Sequence, residues 1–591
     1  MKLVSNKPHH RANLPRQNFD MSHTLKFTSS VGHLIPVLSD FLLAGDKVNI
    51  KEEMFTRTQT LQTSAFVDIR ENIDYFFVPM TQIFSLYPQW RFGVGVPVSA
   101  IFDPQQQAYD TFPSFRMADI IDSFESSIWS VNMQYPQVIG GFVGLAHLFE
   151  PNFSCGAARL LNMLGYGRFN VGPYTVSRDW EDLRFNPVRL CAYQKIFYDY
   201  YCLDERTSIN NICYNLDPWY GDYSDAGTAS QHAQEMIDAL KAMCTLRYVP
   251  WKSDYFMGMF VNPLETPNSR NTQFYGDNLL QITDFISNPT PAPKPKDNIA
   301  ATSDTGDNPY TQVGSDYQST TVSGLNAGMN NRISTGFIRK MFALEKLLSI
   351  TKRAKDDYAS QVLAHYGYEM SDALSSKVMH IGGTSSRIVI NDVVGTVNND
   401  NTELGEIAGK GVGYKNAKNT TVKFTAPCDG ILMGIYYARP EIDYRANGLD
   451  RQNTFLRPSD LYTAEYSNLG FQPVFAYETD NAQTDEESPF GLLGWQYRYS
   501  EYKTKINKVY TGFMEDGLSD WTVAKFFDYL SFSSNTQDFY CDPSSLDSIM
   551  LWQYKSIPVN TVSFQTDPLL HYFSFDYYKS SVMDEFGLPK L

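Results

Sequence analysis

Ile73-Asp74-Tyr75-Phe76-Phe77-Val78-Pro79 is a run of β-branched and aromatic residues closed by a proline. Such residues suit a pleated surface, and an apolar run of this length reads as a buried strand that Pro79, lacking an N–H, brings to an end. Working outward, His23-Thr24-Leu25-Lys26-Phe27-Thr28 alternates apolar and polar side chains, and Val48-Asn49-Ile50-Lys51 does the same after a Gly45-Asp46 turn. Farther along, Arg387-Ile388-Val389-Ile390, Val422-Lys423-Phe424 and Ile431-Leu432-Met433-Gly434-Ile435-Tyr436-Tyr437 read as strands. So does 497–506, with Tyr502, Thr504 and Ile506 on one face and Glu501, Lys503 and Lys505 on the other. No repeat of roughly 20–50 residues is visible, which argues against a propeller or a solenoid. The expected fold class is mainly β.

Helices are few. Asn186-Pro187 reads as an N-cap followed by proline in the first turn, and Leu190, Tyr193, Phe197 and Tyr200 fall on one face of a helix over 187–202. A second helix is expected over 231–244, with Met236, Leu240 and Met243 on its apolar face. A third covers 336–350, where Phe337, Met341, Leu344 and Leu348 recur at helical spacing, and a fourth, near 356–366, stops at Gly367. Residues 1–20 read as an arm: Lys2, Lys7, Arg11 and Arg16 make it basic, and Pro8 and Pro15 break it. The tract 262–331, which contains Asn288-Pro289-Thr290-Pro291-Ala292-Pro293-Lys294-Pro295, has few residues that could join a core. It reads as a linker or as a long surface loop inserted into one fold.

The 591 residues carry a formal charge of −16, and 14% of them are aromatic. A surface that bound nucleic acid everywhere would be basic, so any contact with DNA or RNA must be local or mediated by a basic partner. Aromatic residues at this density fill cores and large interfaces. Seven scattered cysteines without a C-x-x-C pair suit free thiols in a reducing compartment. Nothing resembles a signal peptide or an apolar span of about 18 residues, so a soluble chain made in a cytoplasm is expected.

Signatures of chemistry are weak. Gly405-Glu406-Ile407-Ala408-Gly409-Lys410-Gly411 has three residues between its first glycines and no Ser/Thr after the lysine, so it reads as a flexible turn rather than a phosphate loop. There is no G-x-S-x-G and no H-E-x-x-H. His9-His10 lacks companion carboxylates for a metal. Glu441/Asp443 and Glu486/Glu487 are acid pairs with nothing to mark them as a glycosidase dyad, and surface solvation explains them better. No catalytic residue, cofactor or metal is expected.

Several segments together resemble the major capsid proteins of the Microviridae, small icosahedral phages with single-stranded DNA, and most of all their gokushovirus and gut-phage branches. Arg16-x-x-Phe19-Asp20-Met21-Ser22-His23 is similar to the family's opening motif, and Tyr75–Pro79 to its Y-F-F-V-P strand end. Asn186-Pro187-Val188-Arg189, with Tyr193, Ile196, Tyr198 and Asp204-Glu205, resembles a family helix in which Asn and Pro stand farther apart. Asp254-Tyr255-Phe256, Ile338-Arg339 with Phe342 through Leu348, and Tyr358 through His365-Tyr366-Gly367 follow in the family's order. Ile381-Gly382-Gly383, Gly430 through Ile435, Glu441-x-x-Tyr444, Phe490-Gly491 and Arg498-Tyr499-x-Glu501-Tyr502-Lys503 continue it. Each motif is weak alone; their shared order over most of the chain is specific.

The resemblance implies a viral jelly roll, an eight-stranded antiparallel sandwich with long insertions, in a T=1 shell around a circular single-stranded DNA genome. After the arm 1–20, residues 21–591 would form one capsid domain, with 262–331 as its variable surface loop. Implied partners are further copies of the chain, the genome, a small basic DNA-binding virion protein, scaffolding and pilot proteins, and a host surface receptor. The place of action would be the virion, assembled in the cytoplasm of a host bacterium. A carbohydrate-binding β-sandwich is the alternative, and it would need an export signal; a glycoside hydrolase would need two placed carboxylates. For DNA, the candidates are Lys2, Lys7, Arg11 and Arg16 in the arm, and Lys503, Lys505 and Lys508 beside Tyr499, which would add base stacking. Replacing the four arm cations with glutamine is expected to lower packaged DNA and make its release by salt easier; an unchanged load and salt response would leave the arm as subunit glue.

Overall fold

Leu569–Ser581 shows how the sequence builds this protein: every second residue of LLHYFSFDYYKSS turns into a core, and the residues between face outward. The structure is a computed structural model, and the residues it describes are 15–61, 65–92, 112–116, 159–167, 184–203, 211–219, 239–240, 242–261, 343, 346–347, 350–351, 354, 358–369, 376–394, 407–416, 422–464, 470–479, 490–515, 518, 521–525, 539–541, 555–557, 562–564 and 568–583. The principal strands are β1 (Gln17–Asp20), β2 (His23–Ser29), β3 (Ile35–Leu42), β4 (Lys47–Leu61), β5 (Ile69–Pro79), β6 (Met379–Val394), β7 (Ile407–Asn416), β8 (Val422–Thr425), β9 (Gly430–Pro440), β10 (Phe471–Phe475), β11 (Leu492–Tyr497) and β12 (Leu569–Ser581).

Ten of them form one antiparallel sheet in the order β1-β12-β4-β7-β6-β5-β9-β3, with β2 also pairing β12 and β8 pairing β4. β2 and β3 are consecutive in the chain, yet β2 bonds to one end of that order and β3 to the other. The segment 23–42 therefore curls the sheet round on itself, giving two facing walls with a shared interior, and the mainly β expectation holds. β9 is buried along almost its whole length between β5 and β3, as its run of apolar residues predicts.

The buried end of β5 is covered outside by a helix, α1 (Val188–Ile196), which continues as a π turn over Phe197–Tyr201. The helix starts one residue later than expected: Pro187, not Asn186, is its N-cap, and Asn186 Oδ1 accepts the Val188 N–H at 2.8 Å from the position before it. The one-sided apolar face expected for this helix is a correction. Gln194 and Lys195 are buried along with Leu190 and Tyr193, because the helix is surrounded rather than laid on a surface. Lys195 Nζ meets Asp199 at 2.9 Å. Gln194 Nε2 donates to the carbonyls of Met243 and Thr245, each at 2.9 Å. Tyr193 donates to the Leu34 carbonyl at 2.9 Å and accepts the Arg247 N–H at 3.0 Å. These bonds satisfy polar groups whose burial would otherwise cost about 1–3 kcal/mol each.

A second helix, α2 (Tyr358–Tyr366), ends at Gly367, whose φ of +65° and N–H to the Leu363 carbonyl make the expected C-cap. Of the helix over 231–244 the described part, 239–240 and 242–243, is helical with Leu240 and Met243 buried; Met236 lies outside the described residues. Ala343, Lys346, Leu347 and Ile350 are helical in the helix expected over 336–350, and Phe337, Met341, Leu344 and Leu348 lie outside, as does all of 262–331. Six described cysteines are free thiols. Among the described residues no helix is long and apolar enough to cross a membrane.

Three expectations are corrected. Gln17–Asp20 is not arm but strand β1, paired with β12 from Ser581 to Tyr578, because its alternating side chains complete that edge. Ile407–Gly411 is neither turn nor phosphate loop but the start of β7. There Gly411 and Gly413 leave space for inward side chains: a Cβ on Gly413 would stand 2.7 Å from Glu71 Oε1. Residues 497–506 form no continuous strand, for a reason given below.

The interior holds polar groups on both walls. Glu52 of β4 accepts from Tyr75 of β5 at 3.1 Å and from Thr384 of β6. Glu71 of β5 accepts from Thr56 of β4 at 2.6 Å and from Tyr436 of β9 at 3.4 Å. Each carboxylate thus ties its own wall to another strand. Burial pushes both carboxyls above the usual range, against the pull of those hydrogen bonds. His571 of β12 lies between Ser29 (2.8 Å) and Thr56 (3.0 Å), and burial, then the Arg159 charge, push it down to about 3 from an ordinary 6.5. Because the folded value is the lower one, the contribution of His571 is complete above pH 6.5 and is lost as pH falls towards 3. Glu52 and Glu71, raised on folding, act in the opposite sense and favour the fold as pH falls through their folded values towards 4.5. Comparison with a His571→Gln chain isolates the imidazole: the stability difference from the parent in urea should shift by about 1.4 kcal/mol per pH unit below pH 6.5. A pH-independent difference would refute the assignment.

Candidate nucleic-acid interface

Four of the sequence-predicted cations, Arg16, Lys503, Lys505 and Lys508, fall among the described residues. Lys2, Lys7 and Arg11 lie outside the described residues. Arg16 is exposed and donates to the Gly45 carbonyl at 2.5 Å. Gly45 has a φ of +84°, a left-handed conformation for which the β3–β4 turn uses glycine.

Lys503, Lys505 and Lys508 do not share the face of a strand. β11 ends at Tyr497, Tyr499 takes a left-handed φ of +62°, and Ser500–Lys503 form one helical turn. Tyr499 N–H is held by the Gln472 carbonyl oxygen of the side chain at 2.9 Å, and the ring is buried under Tyr462. Tyr499 is therefore not offered to a base. Lys503 Nζ bonds the Arg498 carbonyl at 3.0 Å, and Lys508 Nζ stands 3.7 Å from Asp450. The period-2 pattern of 501–506 was real as a pattern, but the positive φ at Tyr499 turns the chain out of the ladder.

The antiparallel register assembles another set. Residues opposite one another in such a pair share a face. Tyr572 faces Lys26 and Phe55, Asp576 faces Lys51, Tyr578 faces Asn49, and Leu570 faces Arg57. Lys423 of β8 lies opposite Asn49, and Thr425 opposite Lys47. The outer face of β2, β12, β4 and β8 so carries Lys26, Lys47, Lys51, Arg57 and Lys423, with Glu53, Asp576 and Asp20 as its carboxylates. Among the described residues none of these five cations makes an ion pair. Lys26 Nζ stands 5.6 Å over the Tyr572 ring and Arg57 4.8 Å over Phe55. Two of the carboxylates are engaged: Glu53 accepts from Tyr414 at 2.6 Å, and Asp20 from the Ser22 hydroxyl at 2.5 Å. Ser22 holds the Asp20 carboxyl below the usual range.

Where β1, β12, β4 and β8 meet, this face opens into a groove of about 540 Å³ lined by Asn18, Lys47, Asn49, Lys423, Thr425 and Tyr578 among others. Tyr578 is 48% exposed there, a free ring beside two ammonium groups and two amides. Lys579, the next residue along β12, is turned inward: its Nζ bonds the Phe41 carbonyl at 2.7 Å and Asp40 at 3.1 Å, with Asp46 at 3.8 Å. A shallow face of unpaired cations and exposed tyrosines offers charge to phosphates and flat rings to bases, which is the chemistry of single-strand binding. The signal for it was present as Lys47-x-Asn49-x-Lys51, polar residues opposite Val48 and Ile50. Its junction with Lys423 and Tyr578 required knowing which strands are neighbours.

Of the two acid pairs, only Glu441/Asp443 falls among the described residues. Glu441 is bound to Arg70 at 3.3 Å with Lys252 at 3.9 Å. Burial, then Glu441, raise Asp443 to about 6. Glu486 and Glu487 lie outside the described residues, and among those described no three His, Cys, Asp or Glu side chains are placed to hold a metal.

Comparison with known proteins agrees with a structural role. The family described as capsid protein (F protein) matches residues 9–124 and 175–579. The capsid protein VP1 of Chlamydia phage 1 is 23% identical over 579 residues, covering 87% of this chain and 88% of the relative. The capsid protein VP1 of Bdellovibrio phage phiMH2K is 22% identical over 562 residues, covering 89% of each. With strands, interior and outer face in place and the family match running through nearly all of them, the chain belongs to the capsid protein (F protein) family of the Microviridae, structural proteins of the virion rather than enzymes.

Proposed function

We propose that this capsid protein folds as a jelly roll and assembles into a T=1 icosahedral shell around a single-stranded DNA genome, with the basic, tyrosine-bearing face of β2, β12, β4 and β8 turned towards that genome. The observation that carries the DNA contact is the set of five cations on one sheet face, without an ion pair among the described residues, in a chain whose net charge is −16. Like charges elsewhere repel a polyanion, so a local face must do the holding. The curled antiparallel sheet supports the jelly roll, since a sheet that turns on itself leaves few free edges.

In this reading residues 21–591 are one capsid domain, the arm 1–16 adds Lys2, Lys7, Arg11 and Arg16 to the interior charge, and 262–331 is an outward loop that meets the host receptor. A small basic virion protein neutralises what the face cannot, and scaffolding and pilot proteins assist assembly in the host bacterial cytoplasm.

The test is the pair Lys47→Gln/Lys423→Gln against Lys503→Gln/Lys505→Gln. Removing two phosphate contacts should lower the affinity of the chain for an oligothymidylate and reduce its log–log salt slope by about 1.4, or ~0.7 per contact. It should also lower packaged DNA. The second pair should leave both unchanged, and the reverse ranking would return the site to the 503–508 segment.

A further inference from the structure

Where β3 passes β12, two carboxylates face one buried amine. Tyr577 and Lys579, two apart on β12, both point inward. Asp40 of β3 meets them there: Lys579 Nζ stands 3.1 Å from Asp40 Oδ2, and the Tyr577 hydroxyl donates to that same oxygen at 2.6 Å. Asp46, in the β3–β4 turn, is wholly buried and has its Oδ2 3.8 Å from the same Nζ. An ordinary ion pair needs one carboxylate, and here a second is buried against the pair. Its Oδ2 accepts the Leu43 N–H at 3.0 Å, while among the described residues its Oδ1 has no hydrogen-bond partner. A buried carboxylate oxygen left without a partner is uncommon and destabilising, and is a mark of strain or of chemistry.

We propose that Lys579 and Asp40 condense within the folded chain to an amide, a covalent bond between β12 and β3. Position gives each group its part. Asp46, the spare carboxylate, takes a proton from the Lys579 ammonium. The amine so freed lies next to the Asp40 carboxyl, held by the Phe41 carbonyl, which accepts from Nζ at 2.7 Å. Its lone pair forms the C–N bond at Asp40 Cγ. The Tyr577 O–H steadies the carboxyl oxygen on which negative charge gathers. Burial, then the Asp40 charge, hold that hydroxyl well above its ordinary range, so it stays a donor. A C–O bond of Asp40 then breaks, and the oxygen leaves as water with the proton from Asp46 and a second from the nitrogen. Ammonium and carboxylate thus become one amide and one water, Asp46 ends as the carboxylate it began, and no other reactant enters. Two partners fixed in contact in a water-poor interior favour condensation over the free encounter of the same groups. The joined residues are 539 apart in the chain, on strands that are not neighbours in the sheet order, so the bond would fasten a seam that backbone pairing leaves to side chains.

The experiment measures the intact mass of the purified chain under denaturing conditions, after a cooperative melt has shown that it was folded, and searches a protease digest for one peptide that joins the segments of Asp40 and Lys579. The parent should be lighter than its sequence by one water and give the joined peptide. Lys579→Arg should have its full sequence mass and no such peptide. Asp46→Asn, which keeps the Lys579–Asp40 pair, should form the bond about a hundredfold more slowly, the effect of losing a placed acid–base group. A folded parent at its full sequence mass would overturn the proposal and leave an ion triad. Loss of water without the joined peptide would overturn it too, since the dehydration would then lie elsewhere. The parent decides the matter alone, whether or not a variant folds; an undiminished rate in a folded Asp46→Asn chain would overturn the part given to Asp46.

Discussion

One stretch of chain, residues 23–42, hydrogen-bonds to both ends of the strand order, and the rest of the structure depends on that closure. Had β2 and β3 paired with a single neighbour, the sheet would stay open and β12 and β9 would present long edges. Because they divide between the two, the inward faces of all the long strands converge on one interior. The five residues between them make the corner: Gly32 has a φ of +81°, and its N–H and carbonyl bond Ala438 and Val249. A Cβ on Gly32 would overlap the Cys541 carbonyl, so no other residue fits there without movement of the backbone.

Closure explains why the interior can hold Glu52 and Glu71. In an open sheet water would solvate them; here hydroxyls of Tyr75, Thr384, Thr56 and Tyr436 do, each reached across the enclosed space. Breaking one such bond leaves a buried carboxyl short of a partner, which ties the walls together by penalty more than by attraction. The neighbouring rings of Phe27, Tyr436, His571 and Phe573 pack at 4.4–5.6 Å and exclude water from the same space.

Outside, the same sheet carries the cations and tyrosines on which the proposed DNA contact rests. Side chains on the far face from the core are free to be charged, and pairing of β4 with β12 and β8 gathers their lysines and tyrosines onto one surface. The aromatic patch around Tyr499 lies in a different part of the chain, on a locked turn between β11 and the 3₁₀ segments that precede β10. The two surfaces differ in chemistry: one carries cations and tyrosines, the other leucines and rings.

Period-2 alternation and apolar runs determined the strands β2, β4, β5, β6, β8 and β9, because side-chain direction along a strand is a local property. Asn186, Pro187 and Gly367 likewise marked helix ends through their own backbone and side-chain chemistry. The ordered motifs from Arg16 to Lys503 also carried the family, since a sequence can preserve order without showing any contact. What only the tertiary structure decided is which elements meet. Lys503 and Lys505 looked like a strand face until Tyr499, held at φ +62° by Gln472 some 27 residues away, turned the chain into a helical turn. The helix that carries Leu190 and Tyr193 on one face is also buried at Gln194 and Lys195, because neighbours close over it. Lys47 and Lys423, 376 residues apart in the sequence, became one groove only through the pairing of β4 with β8. Register between distant strands is set by burial of their common faces, and that is a property of the folded whole.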